Sequence, residues 1–350
     1  MAAASAAPAP SKTVKLNTGY EMPLIGAAEE GVRRGATFVA STWNSPAEEV
    51  KRAVDVALRS GYRHIDTAQV RRGRRARAKA GIRHRSWLLL RRASAEALAP
   101  WPSRLFPQGY GNEEPIGEAL AACIKAGVVT RDEVFVTTKL WVGNYAEEHA
   151  LPSVRESVKK LGLEYVDLVL LHNPFRLAHG AGMPLADEDK LGYKPEDVLT
   201  AWRALEKAKE EGIVRSIGVS NFTASKMAAL VAGGGSAPSV NQVEMHPCLA
   251  QQGLVDYCAA VGAVVTAYSP LGSPGRPDRV RSEGDPVPMA EDVVKAAAAA
   301  HGKSPAQVLI RWCIQRGVVC IPKSVTPARI ESNGAVWDFE LSADEMAAIS

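Results

Sequence analysis

An α/β fold, a parallel (β/α)8 TIM barrel with an irregular arginine-rich insertion after its second strand, follows from three features of this 350-residue chain. Strand-like apolar runs alternate with amphipathic helical runs from residue 110 onward, which predicts a parallel sheet with helices outside it. Three of those runs close on a polar residue: Asp66 ends 62–66, Lys139 comes next to last in 134–140, and His172 ends 166–172. Polar groups at the carboxyl ends of parallel strands are where a barrel assembles its site. No Gly-x-Gly-x-x-Gly follows a strand, which counts against a doubly wound dinucleotide fold.

In chain order, 22–27 supplies a degraded first strand, and 47–59 is an amphipathic helix (Val50, Val54, Leu58) feeding the strand at 62–66. Strands at 134–140, 166–172, 214–220, 240–245, 263–268 and 318–322 bring the count to eight. Helices fall at about 112–126, 147–161, 196–211, 223–232, 250–261, 289–301 and 305–315. In the first of these, Asn112 is a suitable N-cap and Pro115 fits the first turn. Ile116, Leu120 and Ile124 recur every four residues, and Gly127 closes the helix. Residues 1–11 are expected to be a flexible tail and 12–350 one barrel domain, interrupted by segments 27–41 and 71–109 that fit no element. A structureless stretch as long as 71–109 is unusual inside a compact domain.

Hydrophobic residues make up 46% of the chain, enough for a sizeable core. The net charge of +4 is local in origin. Residues 71–92 hold nine Arg and one Lys with no acid; once those ten are set aside from the 42 basic residues, the 38 acids are in excess. The five cysteines, an odd number without a CxxC pair, suit reduced thiols in a cytoplasmic protein. No run approaches the roughly 18 apolar residues that span a membrane, and the N-terminus lacks a basic segment followed by an apolar one.

A lysine at the end of a buried strand pairs with a carboxylate or takes part in chemistry. Asp66 is its candidate partner. The motifs around these residues resemble the aldo-keto reductase family, and look most like its plant-type cytosolic members. Gly61-Tyr-Arg-His-Ile-Asp-Thr-Ala68, Ile217-Gly-Val-Ser-Asn-Phe222 and Ile321-Pro-Lys-Ser324 are similar to its three signatures. Asn241–Pro247 and Ala267–Gly272 are also similar to family motifs. The family carries a tyrosine five residues after the aspartate, where this chain has Arg71. Tyr110 matches by context, and removal of the 39 residues 71–109 restores the spacing, as a retained intron or a gene-model error would explain. Likewise Pro23-Leu-Ile-Gly26 would normally run almost directly into Thr42-Trp43.

The resemblance implies NADPH-dependent reduction of aldehydes and ketones, reactive carbonyls or aldoses, to alcohols by hydride transfer. The implied catalytic residues are Asp66, Tyr110, Lys139 and His172. A tyrosine of pKa about 10 is too weak an acid unless shifted. An ammonium about 4 Å away at an effective dielectric of about 20 favours the phenolate by roughly 4 kcal/mol, or about three units at most. Asp66 would hold Lys139 charged and oriented, and His172 would donate to the carbonyl oxygen. The implied cofactor residues are Thr42, Asp66, Ser220, Asn221, Gln242, Tyr268, Ser269, Leu271, Ser273, Lys323, Ser324, Arg329 and Asn333. Lys323, Ser324 and Arg329 suit a 2′-phosphate and hence NADPH over NADH. Ser332 stands where the family usually has a glutamate. Trp43, Trp141 and Asn173 are the implied substrate pocket. The chain stops at Ser350, before the family's last, substrate-selecting loop.

No metal and no nucleic-acid or membrane partner is expected, and the protein is expected to be a monomer. The arginine run has few interleaved aromatics and no nucleic-acid-binding fold motif. One alternative stays open: a barrel that binds the cofactor with impaired or no turnover because 71–109 covers the pocket.

Overall fold

The computed structural model describes residues 13–24, the backbone of 37–38, and residues 46–69, 111–181, 185–273 and 284–350. An antiparallel hairpin, β1 (Thr13–Lys15) and β2 (Glu21–Pro23), comes first. Eight parallel strands follow: β3 (Thr37–Phe38), β4 (His64–Asp66), β5 (Phe135–Leu140), β6 (Val166–Leu171), β9 (Val214–Ser220), β10 (Val240–Glu244), β11 (Val264–Tyr268) and β12 (Val319–Ile321). Between β6 and β9 lies a small antiparallel ribbon, β7 (Arg176–Leu177) and β8 (Lys190–Gly192). The parallel strands pair in that order, and the two edges, β3 and β12, lie against each other, so the sheet curls into a barrel. Helices pack outside: α1 (Ala47–Arg59), α2 (Glu113–Lys125), α3 (Glu147–Lys160), α4 (Pro195–Glu210), α5 (Ala224–Ala232), α6 (Gln252–Ala260), α7 (Asp292–His301), α8 (Pro305–Gln315), α9 (Pro327–Gly334) and α10 (Ala343–Ile349).

The strand pattern divides the core in two. Successive residues of a strand point to opposite faces. One set of strand residues therefore packs under the helices with Val54, Leu120, Trp202 and Trp312, while the other set fills the barrel. The inner cluster joins Phe135, Leu168, Leu170, Val240, Val264, Val319 and Ile321 to Leu16, Met22 and Leu24 of the N-terminal segment. Phe135, Val240, Val264 and Val319 begin or nearly begin their strands, so the β1–β2 hairpin seals the amino-terminal end of the barrel. Polar bonds fix it there. Thr18 Oγ1 shares a hydrogen bond with Ser216 Oγ at 2.7 Å, and Ser239 Oγ donates to Asn17 Oδ1 at 2.6 Å. The opposite end is left for the site.

Several expectations change. Of the strand expected at 22–27, Met22 and Pro23 belong instead to the second arm of the hairpin, and Leu24 just beyond it touches the barrel through its carbonyl, which accepts the Cys320 amide at 3.3 Å; 25–27 lie outside the described residues. The first parallel strand is β3, two residues long and inside the segment expected to hold no element. Asn112 precedes α2 as expected, but its side chain makes no cap bond, because its carbonyl oxygen accepts from Thr67 instead. Helices α9 and α10 were not anticipated; each is short and follows a turn. The remaining helices fall within a few residues of their expected bounds. Four of the five free cysteines are buried, and Cys248 is exposed. Segment 71–109, the remainder of 27–41 and the expected tail lie outside the described residues.

Helix α2 sits so close to the end of α3 that a Cβ at Gly117 would lie 2.4 Å from the Leu161 carbonyl oxygen. Backbone cannot yield there as a flexible side chain could. Gly117→Ala is therefore expected to lower stability by about 1–3 kcal/mol, measured as a fall in the urea midpoint at unchanged slope.

Candidate active site

Alternation along β4 and β5 turns Asp66 and Lys139 inward at the open end of the barrel, where both are almost fully buried. They form a direct ion pair. Each spends its remaining capacity close by: Lys139 Nζ also donates to the Thr67 carbonyl at 3.0 Å, and Asp66 Oδ2 accepts Gln242 Nε2 at 2.7 Å. A buried charge needs such pairing to offset its lost hydration. Two residues before Asp66, His64 shares its orientation; its Nε2 bonds Thr137 Oγ1 at 2.9 Å and its ring meets Phe135 edge-on. No local sequence feature had singled out His64, although the strand period places it on the same inner face.

His172, just past β6, stands edge-on to Trp141 with ring centroids 5.7 Å apart. Desolvation first, and the Lys139 ammonium second, push its pKa down from 6.5 to about 3. His64 is lowered to about 3 by the same two causes in the same order. Both imidazoles are therefore neutral at physiological pH. A neutral imidazole can still donate one N–H to an oxygen without carrying a charge.

Around this centre the expected nicotinamide-side residues form one bonded chain. Tyr268 Oη donates to Asn221 Oδ1 at 2.8 Å, Asn221 Nδ2 donates to the His172 carbonyl at 3.0 Å, and Ser220 Oγ donates to the Gln242 carbonyl at 2.8 Å. Asn221 holds a left-handed backbone (φ 64°), as do Ser269 (φ 51°) and Ser273 (φ 50°). Such conformations cost energy in non-glycine residues and persist where the surroundings enforce them. A hydrogen bond of 2.7 Å from Ser273 Oγ to Ser269 Oγ closes that turn, with Leu271 half-buried inside it. A cavity of about 370 Å³ borders Asn221 and Tyr268.

Farther out, after β12, Lys323 and Arg329 are exposed, while Ser324 and Asn333 are buried. Partial desolvation holds the Lys323 pKa below its usual value against the pull of Glu49. Trp141 is half-buried beside His172, and Asn173 accepts from Tyr145 Oη through its carbonyl at 2.7 Å. Thr42, Trp43 and Tyr110 lie outside the described residues. A second cavity, of about 450 Å³, opens beside Gln69, Gly111, Glu113 and Asn144, with the stacked rings of His149 and His179 on its wall.

The chain resembles known proteins over nearly its whole length. The model of the Aldo/keto reductase family matches residues 35–350. Aldo-keto reductase family 1 member A1 of Rattus norvegicus is 39% identical over 338 residues, covering 96% of this chain and 87% of that protein. An aldo/keto reductase of Synechocystis is 34% identical over 339 residues, covering 97% and 88%. The crystal structure of a Bombyx mori aldo-keto reductase in complex with NADP superposes with a TM-score of 0.74 at 33% identity, covering 98% of this chain and 92% of that one. An oxidoreductase built on a parallel barrel is the class these matches and the site define. The chain belongs to the aldo/keto reductase family. Among the described residues, no helix is long and apolar enough to cross a membrane.

The two depressed imidazoles set a pH dependence. Their folded pKa values lie below the unfolded value of 6.5, so between about pH 3 and 6.5 the unfolded chain binds more protons. Stability from these groups is full above about pH 6.5 and is lost as pH falls toward 3. The thermal midpoint should drop across that window, and the His64 and His172 ring signals in NMR should stay neutral at pH 5. An imidazolium shift at pH 6 for either ring would contradict this.

Proposed function

We propose that the chain reduces small aldehydes and ketones, reactive carbonyls or aldoses, to alcohols with NADPH, Tyr110 being the proton donor. The observation that carries this is the buried ammonium of Lys139, held by Asp66 at the open end of the barrel with a neutral imidazole nearby. The Lys139 field, which after desolvation is the second cause disfavouring an imidazolium at His64 and His172, has the sign that favours a phenolate.

The residues present fit the cofactor. Lys323, Arg329 and Ser324 are the donor set a 2′-phosphate needs, and Tyr268 offers a flat ring held by its bond to Asn221. Bound NADPH supplies the hydride that no side chain can provide. Ser220, Asn221 and Gln242 would hold its carboxamide, Ser269, Leu271 and Ser273 its pyrophosphate, and Thr42, Asp66 and Asn333 are assigned to the remaining contacts. His172 donates to the substrate's carbonyl oxygen, where negative charge develops as the hydride arrives. Tyr110 passes its proton to that oxygen, and the Lys139 ammonium stabilises the phenolate left behind. Trp43, Trp141 and Asn173 line the substrate's approach. The assembled ion pair and imidazole favour turnover over a barrel that only holds the cofactor. We place the chain in the cytoplasm as a monomeric single-domain enzyme without nucleic-acid partners.

Tyr110→Phe should lower turnover of 4-nitrobenzaldehyde about 10²–10⁴-fold while NADPH affinity, read by fluorescence quenching, stays near that of the parent. Equal rates would assign the proton to another group. Arg329→Ala should weaken NADPH about tenfold and leave NADH binding unchanged; equal losses for both nucleotides would remove Arg329 from the phosphate site.

A further inference from the structure

Strand β6 stops at Leu171, so the loop that begins with His172 leaves the ladder at once. The His172 N–H still donates to the Leu140 carbonyl at 3.2 Å, and the His172 carbonyl accepts Asn221 Nδ2 at 3.0 Å. Both backbone groups of the next residue close on one side chain. The Tyr145 hydroxyl donates to the Asn173 carbonyl at 2.7 Å and accepts the Asn173 N–H at 3.3 Å. Tyr145 is almost fully buried. Farther along, the same loop is tied again. His179 Nδ1 lies 3.1 Å from the Gly143 carbonyl, and because a carbonyl only accepts, Nδ1 carries the proton. The His179 ring is also stacked on His149, with centroids 3.6 Å apart. A Cβ at Gly143 would lie 3.3 Å from the Ala178 carbonyl oxygen and 3.3 Å from Cδ1 and Nε1 of Trp141. Gly143 is thus held between this loop and the indole that meets His172 edge-on.

We infer that Tyr145 and His179 are positioning residues that hold the His172 imidazole against Trp141, Tyr145 by fixing the backbone just after His172 and His179 by fixing the turn behind the indole. The inference rests on His172 being the donor to the substrate's carbonyl oxygen. A buried phenol needs one partner for its O–H, and packing alone would be served by a phenylalanine. Tyr145 does more, because its oxygen takes a second bond from the same residue. With Asn173 caught at both its N–H and its carbonyl, the peptide after His172 cannot turn, and the bonds to Leu140 and Asn221 hold the groups of His172 itself. The freedom left is rotation of the ring, which the Trp141 indole limits. That indole follows β5 and precedes the single 3-10 turn Val142–Asn144, whose glycine the His179 bond holds in place. Tyr145 comes directly after this turn, so both ties join the segment carrying Trp141 to the loop carrying His172. Such placement matters for a hydrogen-bond donor to a reacting oxygen, since an error of about 1 Å can cost about a hundredfold in rate.

A double-mutant cycle on the full chain tests this, with turnover of 4-nitrobenzaldehyde, NADPH affinity and the NMR signals of the His172 ring as readouts. Tyr145→Phe keeps the ring and removes the hydroxyl. It should lower kcat about tenfold, the value of one lost hydrogen bond, with NADPH affinity within about twofold of the parent. The His172 ring-proton signals, which depend on the nearby indole, should move. In a His172→Phe background, Tyr145→Phe should change the residual rate less than about twofold. His179→Phe, which keeps the stacked ring and loses the donor, should repeat the pattern and serves if Tyr145→Phe does not fold. His179→Asn, whose amide can donate from the place of Nδ1, should restore the parent rate. Equal losses with and without His172, or parent kcat and unmoved His172 signals in both Tyr145→Phe and His179→Phe, would overturn the positioning role. Parent turnover in His172→Phe alone would instead overturn the assignment of the donor, and the positioning role with it.

Discussion

The pairing of Lys139 with Asp66 shapes the electrostatics of the barrel mouth. Both groups are nearly shut off from water, and each is satisfied by groups on neighbouring strands, Thr67 and Gln242. Such a pair adds little net stability, but removing one partner strands the other charge and typically costs about 3–5 kcal/mol. Its importance here is electrostatic. After desolvation, the ammonium contributes to keeping two imidazoles neutral, and the same potential would favour the phenolate form of a phenol brought near it. The carboxylate keeps that ammonium in one place.

The surrounding polar network keeps this arrangement in register. Gln242 reaches across from β10 to Asp66, while its own carbonyl takes Ser220 from β9. Asn221 links Tyr268 of β11 to the end of β6. Bonds of this kind couple strands far apart in sequence. A displacement at one strand end is therefore transmitted around the rim and does not stay local.

Much of this was legible in the sequence where a local period carried it. Strands β5, β6 and β9 are apolar runs bounded by helices, and a polar residue closing such a run marks Asp66, Lys139 and His172 without reference to any relative. Strand β3 was not legible, because two residues display no period. The hairpin was misjudged because Met22-Pro-Leu24 is as apolar as a barrel strand, and only pairing with 13–15 tells them apart. Asn112 does occupy the N-cap position of α2, but capping and long-range bonding use the same side-chain oxygen, so the sequence could not tell which bond it makes. Thr67 gave no signal at all, since an isolated hydroxyl is common and its partner Asn112 is distant in sequence. Tyr110 was reached through family resemblance, not through its own surroundings.

The hairpin under the barrel has a consequence for traffic. Leu16, Met22 and Leu24 make a dry floor, and Asn17 and Thr18 bolt it to the strands above. Among the described residues that end is closed, so a reactant that reaches the Asp66–Lys139 pair comes to it from the carboxyl ends of the strands.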